Sequence, residues 1–139
     1  MTLTNELTPL TILVISDDHF LVQALDQAGQ QVGSKLDLKR AMDVAEARAM
    51  LNKDQDVKLI LLDSSVQNST AELAFLAHTR THTAWRHVPT LVLIDCQLPC
   101  DLVAAYQAKA TSVTIKPYSA GDWSAYWQTI QQTYSLTSE

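Results

Sequence analysis

The sequence predicts a doubly wound α/β domain, and three observations carry that expectation. Three dense apolar runs, TILVIS at 11–16, VKLILLD at 57–63 and PTLVLID at 89–95, are followed by a weaker β-branched run, TSVTI at 111–115. Runs with so little polar alternation suit strands covered on both faces, which means a parallel sheet. The segments between them place apolar residues at helical spacing, so strand and helix alternate as crossover connections require. The runs also end in charge: Asp17 and Asp18 after the first, Asp63 after the second, Asp95 after the third, and Lys116 followed by Pro117 after the fourth.

Taken in order, the run at 11–16 leads into a helix whose inward face is Leu21, Ala24, Leu25 and Ala28, at i, i+3, i+4 and i+7. A VGSK turn follows, and LKRAM reads as an edge strand. MDVAEARAMLNK is a second helix carrying Val44, Ala47, Ala49, Met50 and Leu51, with Asp43 as its N-cap. After the strand ending at Asp63, STAELAFLAHTR is a third helix, capped by Ser69 or Thr70. PCDLVAAYQAK is a fourth, with Leu102, Ala105 and Tyr106 inward. SAGDWSAYWQTIQQTYSL is a fifth, with a stripe of Trp123, Trp127, Ile130 and Tyr134. The tails at 1–8 and 136–139 are expected to fray.

A chain of 139 residues is long enough to bury a core as one domain, here about 10–135 within 1–139, and no second or output domain is legible. A net charge of -5, with basic residues scattered singly or in pairs, argues against nucleic acid as a partner. The N-terminal segment has no basic region followed by an apolar one, and no apolar run approaches the ~20 residues of a membrane span. A cytoplasmic location is expected. Cys96 and Cys100 have neither redox nor zinc spacing and read as free thiols around a loop. His78 and His82 stand at i,i+4 but lack a third ligand, which favours a solvated helix end over a metal site. The stretch from Pro117 to Glu139 carries only Asp122 and Glu139 as charges, so its outer face is either a docking surface or simply polar.

In an open parallel sheet, ligands bind beyond the carboxyl ends of the strands. There the sequence gathers Asp17, Asp18, Asp63 and Asp95 with one lysine, Lys116. Several carboxylates with a lysine opposite form a pocket for a hard divalent cation such as Mg²⁺, and the lysine would counter an anion beyond the metal. That combination suits phosphoryl chemistry on a carboxylate. A flavodoxin-like cofactor binder of similar topology is poorly matched, because a phosphate loop after the first strand wants Ser, Thr and Gly amides and finds SDDHF.

With ILVISDD, LILLD ending at Asp63, VPTLVLI and TIKPY in that order, the chain resembles the receiver domains of two-component response regulators, over roughly residues 10 to 135. The stretches AAYQAKATSV and DWSAYWQTI look most like stand-alone receivers that partner phytochrome-type kinases. The resemblance implies a flavodoxin-like three-layer sandwich with strand order 2-1-3-4-5. It also implies that Asp63 is the phosphoacceptor and that Asp17, Asp63 and the Ser65 backbone carbonyl hold Mg²⁺. Lys116 would pair with phosphoryl oxygens, and Pro117, after a cis peptide, would shape its approach.

The family's first helix buries the residue four positions beyond the second acid. Counting from Asp17 gives Leu21, whereas counting from Asp18 leads to the charged Asp26, so Asp17 takes the second-acid position. Ser16 then replaces the first acid and weakens metal binding, and Asp18 starts the helix. Ser16, Asp18 and Asp95 are accessory candidates. Ile94 stands where receivers carry a Ser or Thr, and Val113 where they carry a Tyr or Phe, so the usual switch pair is absent. The loop SSVQNST lacks the family's proline and glycine, with Gln67 at the proline position. The function implied is a non-enzymatic receiver, phosphorylated on Asp63 by a histidine kinase or phosphotransfer protein. It would signal by contact with a downstream protein, or as a homodimer through the fourth helix, fifth strand and fifth helix. The alternative is a phosphorylation-independent pseudo-receiver acting as a scaffold.

Overall fold

The computed structural model describes residues 10–33, 35–53 and 56–134, so both predicted frayed tails lie outside the described residues. Among these residues the chain runs β1 (Leu10–Ile15), α1 (His19–Gln31), β2 (Leu36–Ala41), α2 (Val44–Lys53), β3 (Leu59–Asp63), α3 (Ser69–Thr81), β4 (Thr90–Ile94), α4 (Cys100–Lys109), β5 (Ser112–Ile115) and α5 (Ala120–Tyr134). The five strands form one sheet in the order β2-β1-β3-β4-β5, every pair parallel. The expected 2-1-3-4-5 order and the edge position of β2 both hold.

The apolar runs are buried on both faces, as their lack of alternation required. Ile12, Val14, Leu59, Leu61, Leu91 and Leu93 point to the layer of α1 and α5, where they meet Leu21, Leu25, Trp123, Trp127 and Ile130. Their neighbours Leu13, Ile15, Ile60, Leu62, Val92 and Ile94 point to α2, α3 and α4, against Leu51, Phe75, Leu76 and Tyr106. The predicted stripe of α5 is therefore its core face, with Tyr134 partly buried at the end. The outer positions Asp122, Gln128, Thr129, Gln132 and Thr133 are exposed, so that face is polar, with one acidic group in its first turn.

Local signals explain where elements stop. Gly33 adopts φ +76°, a conformation glycine tolerates best, and it ends the first crossover with its N–H on the Gln30 carbonyl. Gly29 allows α1 to lie close on β2, because a Cβ there would sit 2.5 Å from Leu36 Cδ1. Asp43 accepts the Glu46 N–H (2.9 Å) and Glu46 returns to the Met42 N–H (2.8 Å), which confirms the expected cap of α2. The expected cap of α3 does not hold. A 3₁₀ turn, Val66–Asn68, precedes it, the cap position is Asn68, and Ser69 already lies in the helix. A single tight turn leaves no periodic trace in sequence.

Residues 82–89 connect α3 to β4 around buried Trp85. The His82 ring stacks on that indole at 3.8 Å between centroids, and His78 meets it edge-on at 5.4 Å. His82 Nδ1 accepts the Ala84 N–H. The histidine pair thus frames an aromatic core residue and has one ring nitrogen already engaged. Cys96 and Cys100 are free and exposed. Among the described residues no helix is long and apolar enough to cross a membrane.

Candidate functional site

The site forms where β1, β3, β4 and β5 release their chains at the carboxyl edge of the sheet. Asp63 ends β3 with its side chain 14% exposed, and the Lys116 Nζ after β5 lies 3.1 Å from its Oδ2. The same Oδ2 accepts the Ser16 hydroxyl at 2.8 Å. Lys116 also reaches Asp18 Oδ2 at 3.4 Å. Burial pulls the lysine's pKa down, but the charge of Asp63 and its bonds to Asp63 and Asp18 outweigh that, and the net shift is upward.

Ser16 holds the β1 end of this arrangement. It is 3% exposed, its N–H binds the Ala41 carbonyl, its own carbonyl accepts Arg40 Nε at 3.0 Å, and its Oγ accepts the Asp18 N–H at 3.0 Å. That tight turn separates the two aspartates after β1. Asp18 caps α1 by accepting the Phe20 N–H at 3.0 Å, and faces a groove of ≈ 340 Å³ beside Tyr118 and Trp123. Asp17 instead lines a second cavity of ≈ 430 Å³ together with Ser16, Asp63, Ser65, Asp95 and Lys116. Asp18, expected to start its helix and held as an accessory candidate, does both: it caps α1 and shares the lysine.

A divalent cation fits the second cavity. Asp17 makes no hydrogen bond or ion pair among the described residues, and Asp63 keeps Oδ1 without a partner. Two carboxylates suffice for Mg²⁺, which binds through one or two such groups and retains several waters. Among the described residues no three His, Cys, Asp or Glu side chains form a metal cluster, so the remaining ligands would be the Ser65 carbonyl and water. That carbonyl accepts the Asn68 N–H at 3.1 Å, and its second lone pair stays available.

One expected feature comes out differently, and three residues singled out from the sequence take the following places. The Lys116–Pro117 peptide is trans, as no cis bond occurs among the described residues, and trans is the lower-energy form of X–Pro. Asp95 lines the cavity but is exposed, and its Oδ1 is taken by the Gln97 N–H at 2.9 Å. Ile94 is 8% exposed within the core, and Val113 is partly buried against the same cluster, so neither offers a polar group to the site.

Sequence reasoning missed Glu72. Its carboxylate is 5% exposed, and Oε1 accepts both the Ser65 N–H at 3.0 Å and the Tyr106 hydroxyl at 2.5 Å. Burial raises its pKa, the bonds from Tyr106 and Ser65 pull it back, Asp63 adds to the rise, and the net shift is upward. Burial and the Glu72 bond likewise push the Tyr106 phenol up. The signal was present: Glu72 shares a helical face with Phe75, Leu76 and Thr79, so a carboxylate was directed inward and required a donor.

No protein-family model matches the chain, and no curated protein matches it in sequence. Its fold is shared by many solved structures. A response regulator from Hahella chejuensis superposes with TM-score 0.76 at 19% identity, covering 94% of this chain and 98% of that one. The Mn²⁺-bound response regulator Rcp1 gives 0.70 at 19%, covering 94% and 99%. The phosphorylated cyanobacterial phytochrome response regulator RcpA gives 0.72 at 16%, covering 92% and 95%. With the 2-1-3-4-5 parallel sheet and five flanking helices, the fold of this chain is that of the response-regulator receiver domain.

Proposed function

We propose that this chain is a cytoplasmic receiver, an acceptor rather than an enzyme, phosphorylated on Asp63 by a histidine kinase or phosphotransfer protein and read out by contact with another protein. The observation that carries this reading is the state of Asp63. Ser16 and Lys116 fix one carboxylate oxygen, and the other has no partner among the described residues at the edge of a cavity shared with Asp17 and Ser65. The fixed oxygen orients the group, and Oδ1 is the nucleophile. It attacks the phosphorus of a phosphohistidine, the P–N bond breaks, and the imidazole leaves with the bonding pair. Lys116, whose charge the site reinforces, then pairs with a phosphoryl oxygen.

Mg²⁺ held by Asp17, Asp63 and the Ser65 carbonyl would supply positive charge beside the phosphoryl oxygens. Two structurally similar proteins support this reading of the fold's chemistry, one Mn²⁺-bound and one phosphorylated. Ile94 and Val113 make the switch atypical, because neither can donate to the phosphoryl group nor swing a ring inward.

One observation favours a second reading, a phosphorylation-independent scaffold. Asp63 Oδ2, Ser16, Lys116 and Asp18 already bond to one another, so the lysine has its counter-charges without phosphate. Incubation with acetyl phosphate and Mg²⁺, followed by intact mass measurement, separates the two. A phosphate adduct lost in Asp63→Asn supports the acceptor, and no adduct on the folded protein supports the scaffold.

A further inference from the structure

A polar chain runs behind the acceptor that phosphoryl transfer itself does not use. Ser65, two residues beyond Asp63, is held on both sides. Its N–H donates to Glu72 on α3, and its carbonyl accepts the Asn68 N–H of the 3₁₀ turn. The same Glu72 oxygen accepts the hydroxyl of Tyr106 on α4, a residue with 0% exposure. One carboxylate oxygen therefore joins the acceptor loop, α3 and α4. Burying a carboxylate costs more than packing the two helices with apolar residues would, so the chain is not the cheapest way to fill this space. In the neighbouring strands Ile94 and Val113 bring only hydrocarbon to this region.

We propose that Glu72 is a positioning residue for the acceptor loop, and that Ser65–Glu72–Tyr106 carries the state of Asp63 to α4. The role in phosphorylation rests on the reading of Asp63 as acceptor; the coupling itself does not. Ser65 follows Asp63 by two positions and lines the same cavity, so a change of charge at Asp63 displaces its peptide and alters the N–H bond to Glu72. The Tyr106 hydroxyl follows the shared oxygen, and its ring, locked in the core, moves with α4 (Cys100–Lys109). The coupled output is a shift of α4.

The test needs no metal. Amide chemical shifts of residues 100–109 are compared between wild type and Asp63→Asn, then between Tyr106→Phe and the Asp63→Asn/Tyr106→Phe double variant. The α4 response to Asp63→Asn should fall about threefold or more without the Tyr106 hydroxyl, as coupled sites do in a double-mutant cycle. Glu72→Gln, whose amide oxygen can still accept from both donors, should retain most of it. Glu72→Leu/Tyr106→Phe, which removes both side-chain polar groups and frees only the Ser65 N–H, should abolish it in a folded protein. A purely structural role would lower the urea midpoint of these variants while leaving the α4 response intact, and that result overturns the proposal. A parallel Mg²⁺ titration of wild type addresses the acceptor reading separately: no saturable change there removes the metal site, while the metal-free comparison still decides the coupling.

Discussion

Replacing Ser16 with aspartate tests whether the missing acid sets the strength of the metal site. Ser16 Oγ lies 2.8 Å from Asp63 Oδ2, so an ionised carboxylate introduced there meets a like charge at about that distance. At an effective dielectric of about 20 the repulsion is roughly 6 kcal/mol before relaxation. Lys116 Nζ, 3.1 Å from Asp63, offsets much of it, and the new side chain can also turn toward the cavity. The lost Ser16–Asp63 hydrogen bond adds about 1 kcal/mol. The expected net is a metal-free protein about 1–2 kcal/mol less stable than wild type, within the usual range for such substitutions.

Magnesium should reverse the order. A second strong carboxylate beside Asp17 and Asp63 should tighten Mg²⁺ binding about tenfold, which corresponds to about 1.4 kcal/mol. Because the ion binds only the folded state, that difference appears directly in urea unfolding at saturating metal. Buried Trp85, Trp123 and Trp127 give the fluorescence signal. Ser16→Asp should gain more stability from MgCl₂ than wild type does, and Ser16→Asp/Asp63→Asn should lose that extra gain. An equal Mg²⁺ increment in wild type and Ser16→Asp would refute the metal assignment of Asp17 and Asp63.

Lys116→Met should destabilise by about 1–2 kcal/mol at neutral pH, since it strands the part-buried Asp63 carboxylate. The folded pKa of Lys116 is raised above 10.5, so its contribution is complete below that value and is lost as pH rises through the folded pKa. Urea midpoints of wild type and Lys116→Met should therefore converge only in that alkaline window, and a constant gap would contradict the pairing. Ile94→Thr/Val113→Tyr should enlarge any beryllofluoride-dependent change in dimerisation or partner binding, read by size exclusion or amide shifts; a large wild-type response that the variant does not exceed would refute the account of the switch. Gly29→Ala should cost about 1–3 kcal/mol by forcing Leu36 away from α1, and an unchanged melting temperature would show that β2 yields freely.

The strands were legible because burial on both faces leaves an unbroken apolar run, and Leu59–Asp63 and Thr90–Ile94 fall inside theirs. The helices followed from spacing, down to the Trp123, Trp127 and Ile130 stripe. What sequence could not supply were features set by long-range partners. Nothing local pairs Glu72 with Tyr106, which lie 34 positions apart. The start of α3 was misplaced because the 3₁₀ turn ahead of it has no period, and because Ser65 is satisfied by a side chain from within the helix. Asp63 and Lys116 were found because the topology brings every strand's carboxyl end to one edge.

The charge around that edge constrains how the site can work. The cavity is lined by Asp17, Asp43, Asp63, Glu72 and Asp95 against a single cation, Lys116, part of whose charge is already shared with Asp18. A phosphoryl group on a side chain adds about −1.5 to −2 at neutral pH. One lysine cannot balance that addition, and Arg40 is engaged by the Ser16 carbonyl. A phosphorylated state would therefore have to recruit a further cation, and metal and phosphate binding would then reinforce each other at this site. With Ser16 in place of a carboxylate the metal alone would be held weakly on this reading, so the ion should bind substantially better once phosphate or beryllofluoride is present. Magnesium would then act less as a standing cofactor than as part of the signal, and its pull on the Ser65 carbonyl falls on the residue whose N–H Glu72 holds.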